Sequence, residues 1–420
     1  MHPDFERGPV APTDSRRALT TLTVAQGLGL CAGPVVVMLG GLVGGELAPS
    51  PDLATFPVAA AVVGIALAAA PAALLMERVG RRRGFALGAA IAGTGALLAA
   101  AAVGIGSFLL FSLGSLLIGA NLAFVMQYRF AAAETAAGGR DARAVGTVLA
   151  GGILAGLLGP EIVRWGRDLA ATPWVGSLLL LASVQALLAA VVLVGLDRDG
   201  RPAGAPTARP TASEAFRLAR RPGFFLAASA GVVAYTVMGL VMTATPVAMH
   251  GAGFDVDATA LVIEIHVVSM YGPSLAAGFL VARVGLERLM ATGLFAMGAC
   301  AVLSLVGDGL GAWVGGLALL GLGWNVLFLG GTVTLSRAFP GADRFPAQAL
   351  NEGLVFGARA VASLCAGFLL AWVGWPGIHV VSLGALAAMA AVLVAGRLRW
   401  GGAVATGGPG PALSPGTRAS

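Results

Sequence analysis

The chain has 420 residues, 57 % hydrophobic and 11 % charged, with a mean hydropathy of +0.88 and 63 glycines. A soluble chain of this size would carry about 25 % charge and would not repeat apolar stretches of ~20 residues, so the composition excludes a soluble enzyme and points to a lipid bilayer. The formal charge is +6 and all 26 basic residues are arginine, but they are not gathered into a basic domain, so no nucleic-acid partner is expected.

The opening stretch, MHPDFERGPVAPTDSRR, is polar and begins no signal-peptide pattern, so the apolar span after it is expected to be retained. Apolar runs then predict twelve spans, roughly 18–44, 54–76, 84–104, 106–128, 142–166, 174–195, 223–249, 256–281, 289–307, 310–336, 347–372 and 376–396. With both termini cytoplasmic, 23 of the 26 arginines fall in or beside cytoplasmic segments. Arg164 and Arg167 lie outside and Arg359 lies within a span, which is the asymmetry of the positive-inside rule. The expected location is the cytoplasmic (inner) membrane of a bacterium.

Residues 196–222, beginning DRDGRPAGAPTARP, read as a cytoplasmic linker, with a short interfacial helix over SEAFRLARR. Residues 401–420 have no hydrophobic period and are expected to be a disordered cytoplasmic tail. The halves on either side of the linker, 1–195 and 223–400, echo each other at a separation near 204 residues. MERVGRRRG at 76–84 matches VARVGLERL at 281–289, Asn121 matches Asn325, and Arg140 matches Arg344. The fold class is therefore all-α and integral to the membrane: twelve transmembrane helices in two pseudo-symmetric six-helix bundles, with a pathway between them.

In span five, GGILAGLLGPE places Gly152, Gly156 and Gly159 where close helix contact is expected, with Pro160 removing a helix bond. Glu161 and Arg164, near the outer end, are placed to pair.

The chemistry concentrates between residues 238 and 270. Met238 and Met242 are four apart on span seven, and His266 and Met270 are four apart on span eight, so each pair shares a helix face. Span seven runs outward, which sets Met242 about 10 Å and Met238 about 16 Å inside its end at 1.5 Å per residue. By the same rise His266 and Met270 lie about 14 and 20 Å inside the opposite-running span eight, near the middle of a ~30 Å hydrocarbon layer. Methionine is also an ordinary core filler, but an ionisable side chain at this depth is rare and usually functional. One imidazole and three thioethers, with no acid among them, suit a soft ion such as Cu(I) and supply too few harder donors for zinc. Met249 and His250, at the end of span seven, are candidates for an entry relay, with Asp255 and Asp257 as solvated acids at the mouth.

Cys31, Cys300 and Cys365 are widely spaced and form neither a disulfide framework nor a CxxC pair. Small apolar packing is expected of them, with Cys365 the candidate metal relay. Glu264, Glu352 and Arg359 are the remaining charges within spans; Glu352 and Arg359, seven apart, can align as a buried pair, and either acid could serve proton coupling.

The loop MERVGRRRG resembles the signature between spans two and three of the major facilitator superfamily, Gly-x-x-x-Asp-Arg-x-Gly-Arg-Arg. Ala73 stands at its first glycine and Glu77 at its acid; Arg78, Gly80, Arg81 and Arg82 fit as written. In the second half Gly278, Arg283 and Gly285 fit, while Ala282 has replaced the acid. The resemblance implies a tight turn whose arginines and acid latch helix ends and gate a conformational cycle. MGLVM and HVVSM resemble, without substitution, the Met-x-x-x-Met and His-x-x-x-Met elements of bacterial CcoA-type copper importers in the same two spans. That resemblance implies copper, as Cu(I), moving inward by alternating access to supply cytochrome oxidase maturation. Copper would be the transported substrate with no permanently bound cofactor, exchanged with a copper-donating or copper-accepting chaperone by a protein working as a monomer. The alternatives are an exporter of small amphipathic solutes and a membrane copper sensor; no acid-base or nucleophile set for an enzyme emerges.

Overall fold

At membrane depth each backbone N–H and C=O must find its partner inside the protein, and the α-helix does so with local bonds alone. The computed structural model describes residues 12–135, 141–197, 217–276, 281, 283–339 and 344–400, and among them the regular structure is helical throughout. The tail 401–420 and most of the 196–222 linker, including residues 213–216 of its expected interfacial helix, lie outside the described residues, while residues 217–219 of that helix are helical.

Among the described residues, eleven helices are long and apolar enough to cross a bilayer. The last, Leu350–Ala395, has 46 residues. At 1.5 Å per residue that is about 69 Å, twice what the hydrocarbon core requires. It divides at Gly374, whose φ of 68° and ψ of −177° interrupt the helix two residues before Pro376. Its two parts are spans eleven and twelve, and the architecture is that of two six-helix bundles. Span one, Arg16–Leu47, is built from Pro12–Leu30 and Ala32–Leu47, which join at Cys31. Pro34 causes the break, because it has no N–H to offer the Leu30 carbonyl.

Spans seven and eight are Pro222–Gly251 and Val256–Tyr271, the latter extended by a 3-10 turn over Gly272–Ala276. Asp255 starts span eight: its side chain accepts from Ala258 N at 2.8 Å, so one of the expected mouth acids is a helix cap.

The internal repeat is visible in the backbone. Gly80 has φ 83° and ψ 157°; Gly285 has φ 81° and ψ 154°, a region that side-chain-bearing residues scarcely occupy. Each donates its N–H back to the preceding helix, to Met76 O and Val281 O, and each carbonyl accepts from the next helix, from Gly84 N and Leu289 N. The tight turn is therefore the same device in both halves.

Arginines at and near the first loop also reach backbone carbonyls. Arg82 donates to the Leu193 carbonyl and Arg17 to the Val194 carbonyl at 2.7 Å, at the end of span six (Val175–Gly195). Arg81 reaches the Gln127 carbonyl at 3.4 Å, where span four breaks. Cationic side chains thus satisfy carbonyls at the negative ends of helices. Arg78 and Arg283 are exposed; the Glu77 side chain and Gly278 lie outside the described residues.

The halves meet through small residues. A Cβ at Gly156 of span five would stand 3.0 Å from Val267 Cγ1, one at Gly152 would stand 2.8 Å from the Tyr271 ring, and one at Gly41 would stand 2.9 Å from Pro246 Cβ. Charges join the halves at both ends. At the end expected outside, Arg164 pairs with Glu161 of its own helix and crosses to the Asp257 carbonyl at 2.9 Å, the Asp257 carboxylate at 3.5 Å and Glu264 at 3.9 Å. At the other end Arg129 pairs with Glu352 at 2.6 Å. Glu352 is therefore not the partner of Arg359; an arginine from the opposite half takes it. These pairs are part-exposed, and such pairs contribute only about 0–1 kcal/mol each, which suits contacts that must break in every cycle.

Two outcomes follow. Gly285→Ala, where nothing lies within 4 Å of the new Cβ, isolates backbone strain and should destabilise the protein in a detergent melt by about 1–3 kcal/mol. Gly298→Ala, helical and equally open, should be neutral or stabilising by about 1 kcal/mol; equal effects would contradict the assigned backbone. Second, Arg164→Gln should raise maleimide labelling of a cysteine placed at Val247, in a background otherwise free of cysteine. Unchanged labelling would remove Arg164 from the closure.

Candidate functional site

Between the halves lies a cavity of about 140 Å³, and Met238, Met242, His266 and Met270 all line it. Met238 and Met242 are buried on span seven, His266 is fully buried on span eight, and Met270 is half-buried one turn below it. The four-residue spacings turn each pair to one face, and the antiparallel run of the two helices brings the faces to one depth.

The histidine is held in one tautomer. Its Nδ1 lies 2.8 Å from the Leu317 carbonyl of span ten, and a carbonyl can only accept, so Nδ1 carries the proton and donates. Nε2 is left as a lone pair, buried and without a partner in the protein. A histidine whose far nitrogen donates to a carbonyl is oriented as metal-binding histidines are, with raised basicity at the free nitrogen. His379 shows that burial alone does not make a site: its ring packs edge-on against Trp375 at 4.5 Å and lies outside the cavity lining.

Asn325 supports Met270. Its Nδ2 donates to the Met270 carbonyl at 2.6 Å and to Ser274 Oγ at 2.7 Å, where the helix tightens into the Pro273-containing 3-10 turn. Its repeat mate Asn121 instead donates to Gln185 Oε1 at 3.1 Å, within the first half. The matched asparagines thus share a place in the repeat but not a task.

Aromatic rings also line the cavity. Tyr235, three residues before Met238, sits edge-on to Trp324, Phe328 and Phe356 at centroid distances of 5.1, 5.2 and 5.5 Å. The Arg359 guanidinium lies 5.7 Å from the Tyr235 ring and lines the cavity. Sequence reasoning missed Leu317, whose contribution is a backbone atom with no side-chain signature. It also missed the aromatic wall, for which there was a signal: the chain has three tyrosines, and Tyr235 and Tyr271 both line the cavity.

Several expected residues lie elsewhere. Met249 is fully buried and His250 exposed, and neither lines the cavity. Cys365 is exposed on span eleven, on a face other than that of Phe356 and Arg359, so its helix borders the pathway while its thiol does not. Cys31 and Cys300 are buried; Cys31 Sγ donates to the Gly27 carbonyl at 3.1 Å. Glu264 faces Arg164 rather than His266. Among the described residues no three His, Cys, Asp or Glu side chains gather as a metal site, so any ion held here rests on thioether donors beside one imidazole.

The sequence profile described as Major Facilitator Superfamily matches residues 18–272. The Riboflavin transporter RfnT of Brucella anthropi is 40 % identical over 371 residues, covering 87 % of this chain and 92 % of that protein. Two Bacillus subtilis proteins described as uncharacterized MFS-type transporters are also similar. YdeG is 31 % identical over 374 residues, covering 85 % of this chain and 86 % of its own. YddS is 29 % identical over 325 residues, covering 74 % of each. With a cavity between two repeated helical bundles and relatives matched over most of their length, the chain belongs to the major facilitator superfamily and is a multi-pass membrane transporter.

Proposed function

We propose that this transporter carries copper, as Cu(I), into the cytoplasm by alternating access, with Met238, Met242, His266 and Met270 as its transient ligands. The single observation that carries the reading is His266, which lines one cavity with three methionines while the Leu317 carbonyl takes its Nδ1 and its buried Nε2 has no partner among the described residues. Thioether and imidazole donors are neutral and select a soft ion. Neutral donors also let the ion leave once the cavity opens, whereas thiolates would retain it. Inward direction and supply of cytochrome oxidase maturation rest on resemblance to CcoA-type importers. Arginine placement supports cytoplasmic termini in the inner membrane. A chaperone that gives or takes copper, and function as a monomer, belong to the same reading. No covalent step is involved.

A second reading is favoured by the 40 % identity to a riboflavin transporter. The aromatic wall and Arg359 would suit a flat polar ring system. Cavity size supports the smaller substrate in this conformation: about 140 Å³ is well below the ~300 Å³ where pockets for drug-sized ligands begin, and the three fused rings of a flavin with its polyol chain would need a wider cavity. An exporter of other amphipathic solutes meets the same difficulty, and a copper sensor would bind without flux.

Uptake of radiolabelled copper and of labelled riboflavin, in cells expressing the same variants, separates these readings. His266→Ala should abolish copper uptake at normal membrane abundance. Met238→Leu, Met242→Leu and Met270→Leu, which keep apolar volume and remove sulfur, should each lower it about tenfold or more. Met389→Leu, a buried control in span twelve, should leave it near wild type. Riboflavin uptake that responds to none of the sulfur changes, with no copper flux, would replace copper by the flavin reading.

A further inference from the structure

We propose that the cavity contains a second subsite, an anion position at Arg359, and that copper travels with a soft monoanionic ligand seated there. The inference deepens the copper reading and rests on it. Arg359 lines the same cavity as the thioethers, and its Nε is enclosed without a partner. Its neighbour is the face of Tyr235 at 5.7 Å, and among the described residues no carboxylate lies within salt-bridge distance of it. The acid that sequence spacing offered, Glu352, is held by Arg129 at 2.6 Å, and Glu264 is directed to Arg164.

The cavity lining contains no aspartate or glutamate, and Arg359 is its one permanently charged side chain. The copper ligands are all neutral. Copper entering alone would therefore place a second positive charge beside an unpaired guanidinium, in an apolar enclosure that screens neither. A monoanion that bonds to copper and also accepts hydrogen bonds removes both costs. A guanidinium fork lining the cavity is the group built to hold such an acceptor. The chemistry required is that of a halide or a small thiolate, each soft enough to stay on Cu(I). Trp324 and Phe356 pack edge-on to Tyr235, fixing the ring over which the Arg359 guanidinium carbon lies at 5.7 Å.

The test uses the purified full-length protein in detergent, with Cu(I) offered in bromide, in cysteine, or in tetrafluoroborate as the non-coordinating medium. Copper affinity is read by competition with a chromophoric chelator. Anion binding without copper is read by equilibrium dialysis, and X-ray absorption reports a copper–bromine contact. In wild type, affinity should rise at least tenfold in bromide or cysteine over tetrafluoroborate. Arg359→Lys should keep most of that gain and Arg359→Gln should lose it. A gain in bromide identifies a halide position, and a gain in cysteine alone identifies a thiolate position. Equal copper affinity in all three media overturns the proposal and leaves the copper reading standing. Arg359-dependent binding of bromide or cysteine with no copper binding keeps the anion position and removes copper as its companion. Should Arg359→Gln fail to fold, the comparison of media in wild type decides alone.

Discussion

The hydrogen bond from His266 to the Leu317 carbonyl is the interaction on which the site depends, because it decides what the other side of the ring can do. A histidine at membrane depth cannot turn to water. With Nδ1 committed to a backbone acceptor on span ten, Nε2 can only present a lone pair, and the residue that carries it lines a cavity with three thioethers on its walls. The bond also ties span eight to span ten within one half. The ring is thus fixed to the second bundle by a bond that does not involve the first. Asn325 extends the same arrangement one turn lower by taking up the Met270 carbonyl.

Closure of the cavity is divided between two kinds of contact of different strength. Glycine-mediated packing, at Gly156 on Val267 and Gly41 on Pro246, brings the helices of opposite halves close together. The charges at the two ends, Arg164 with Asp257 and Glu264, and Arg129 with Glu352, are part-exposed and individually weak. Weak pairs at both mouths give neither closed end a large advantage, which is what a cycle between two states of similar energy requires. Arg81 and Arg82 of the loop between spans two and three reach carbonyls within the first half, at the ends of spans four and six.

Much of this was legible in the sequence because bilayer physics acts through composition and period. The span count follows from apolar length, the repeat from Gly80 and Gly285, and the thioether and imidazole set from two four-residue spacings. The structure gives each of these a geometry: matched positive φ at the two glycines, and one cavity wall for the four side chains. What failed was partner choice across helices. Glu352 and Arg359 align on one helix at seven residues, yet Arg129 from the other half reaches the acid first, and a one-helix argument cannot see it. Cys365 failed for a related reason, since the helix beside a pathway also has a face turned away from it. Leu317 could not have been found at all, because any residue supplies a carbonyl.

The most direct measurement of the central claim is X-ray absorption at the copper edge on purified protein loaded with Cu(I), alongside the His266→Ala and Met242→Leu variants. The account predicts imidazole and sulfur scattering together in wild type. The imidazole contribution should be lost in the first variant and the sulfur contribution reduced in the second. A protein that holds riboflavin and takes up no copper, or one whose copper signal is the same in all three samples, would contradict it.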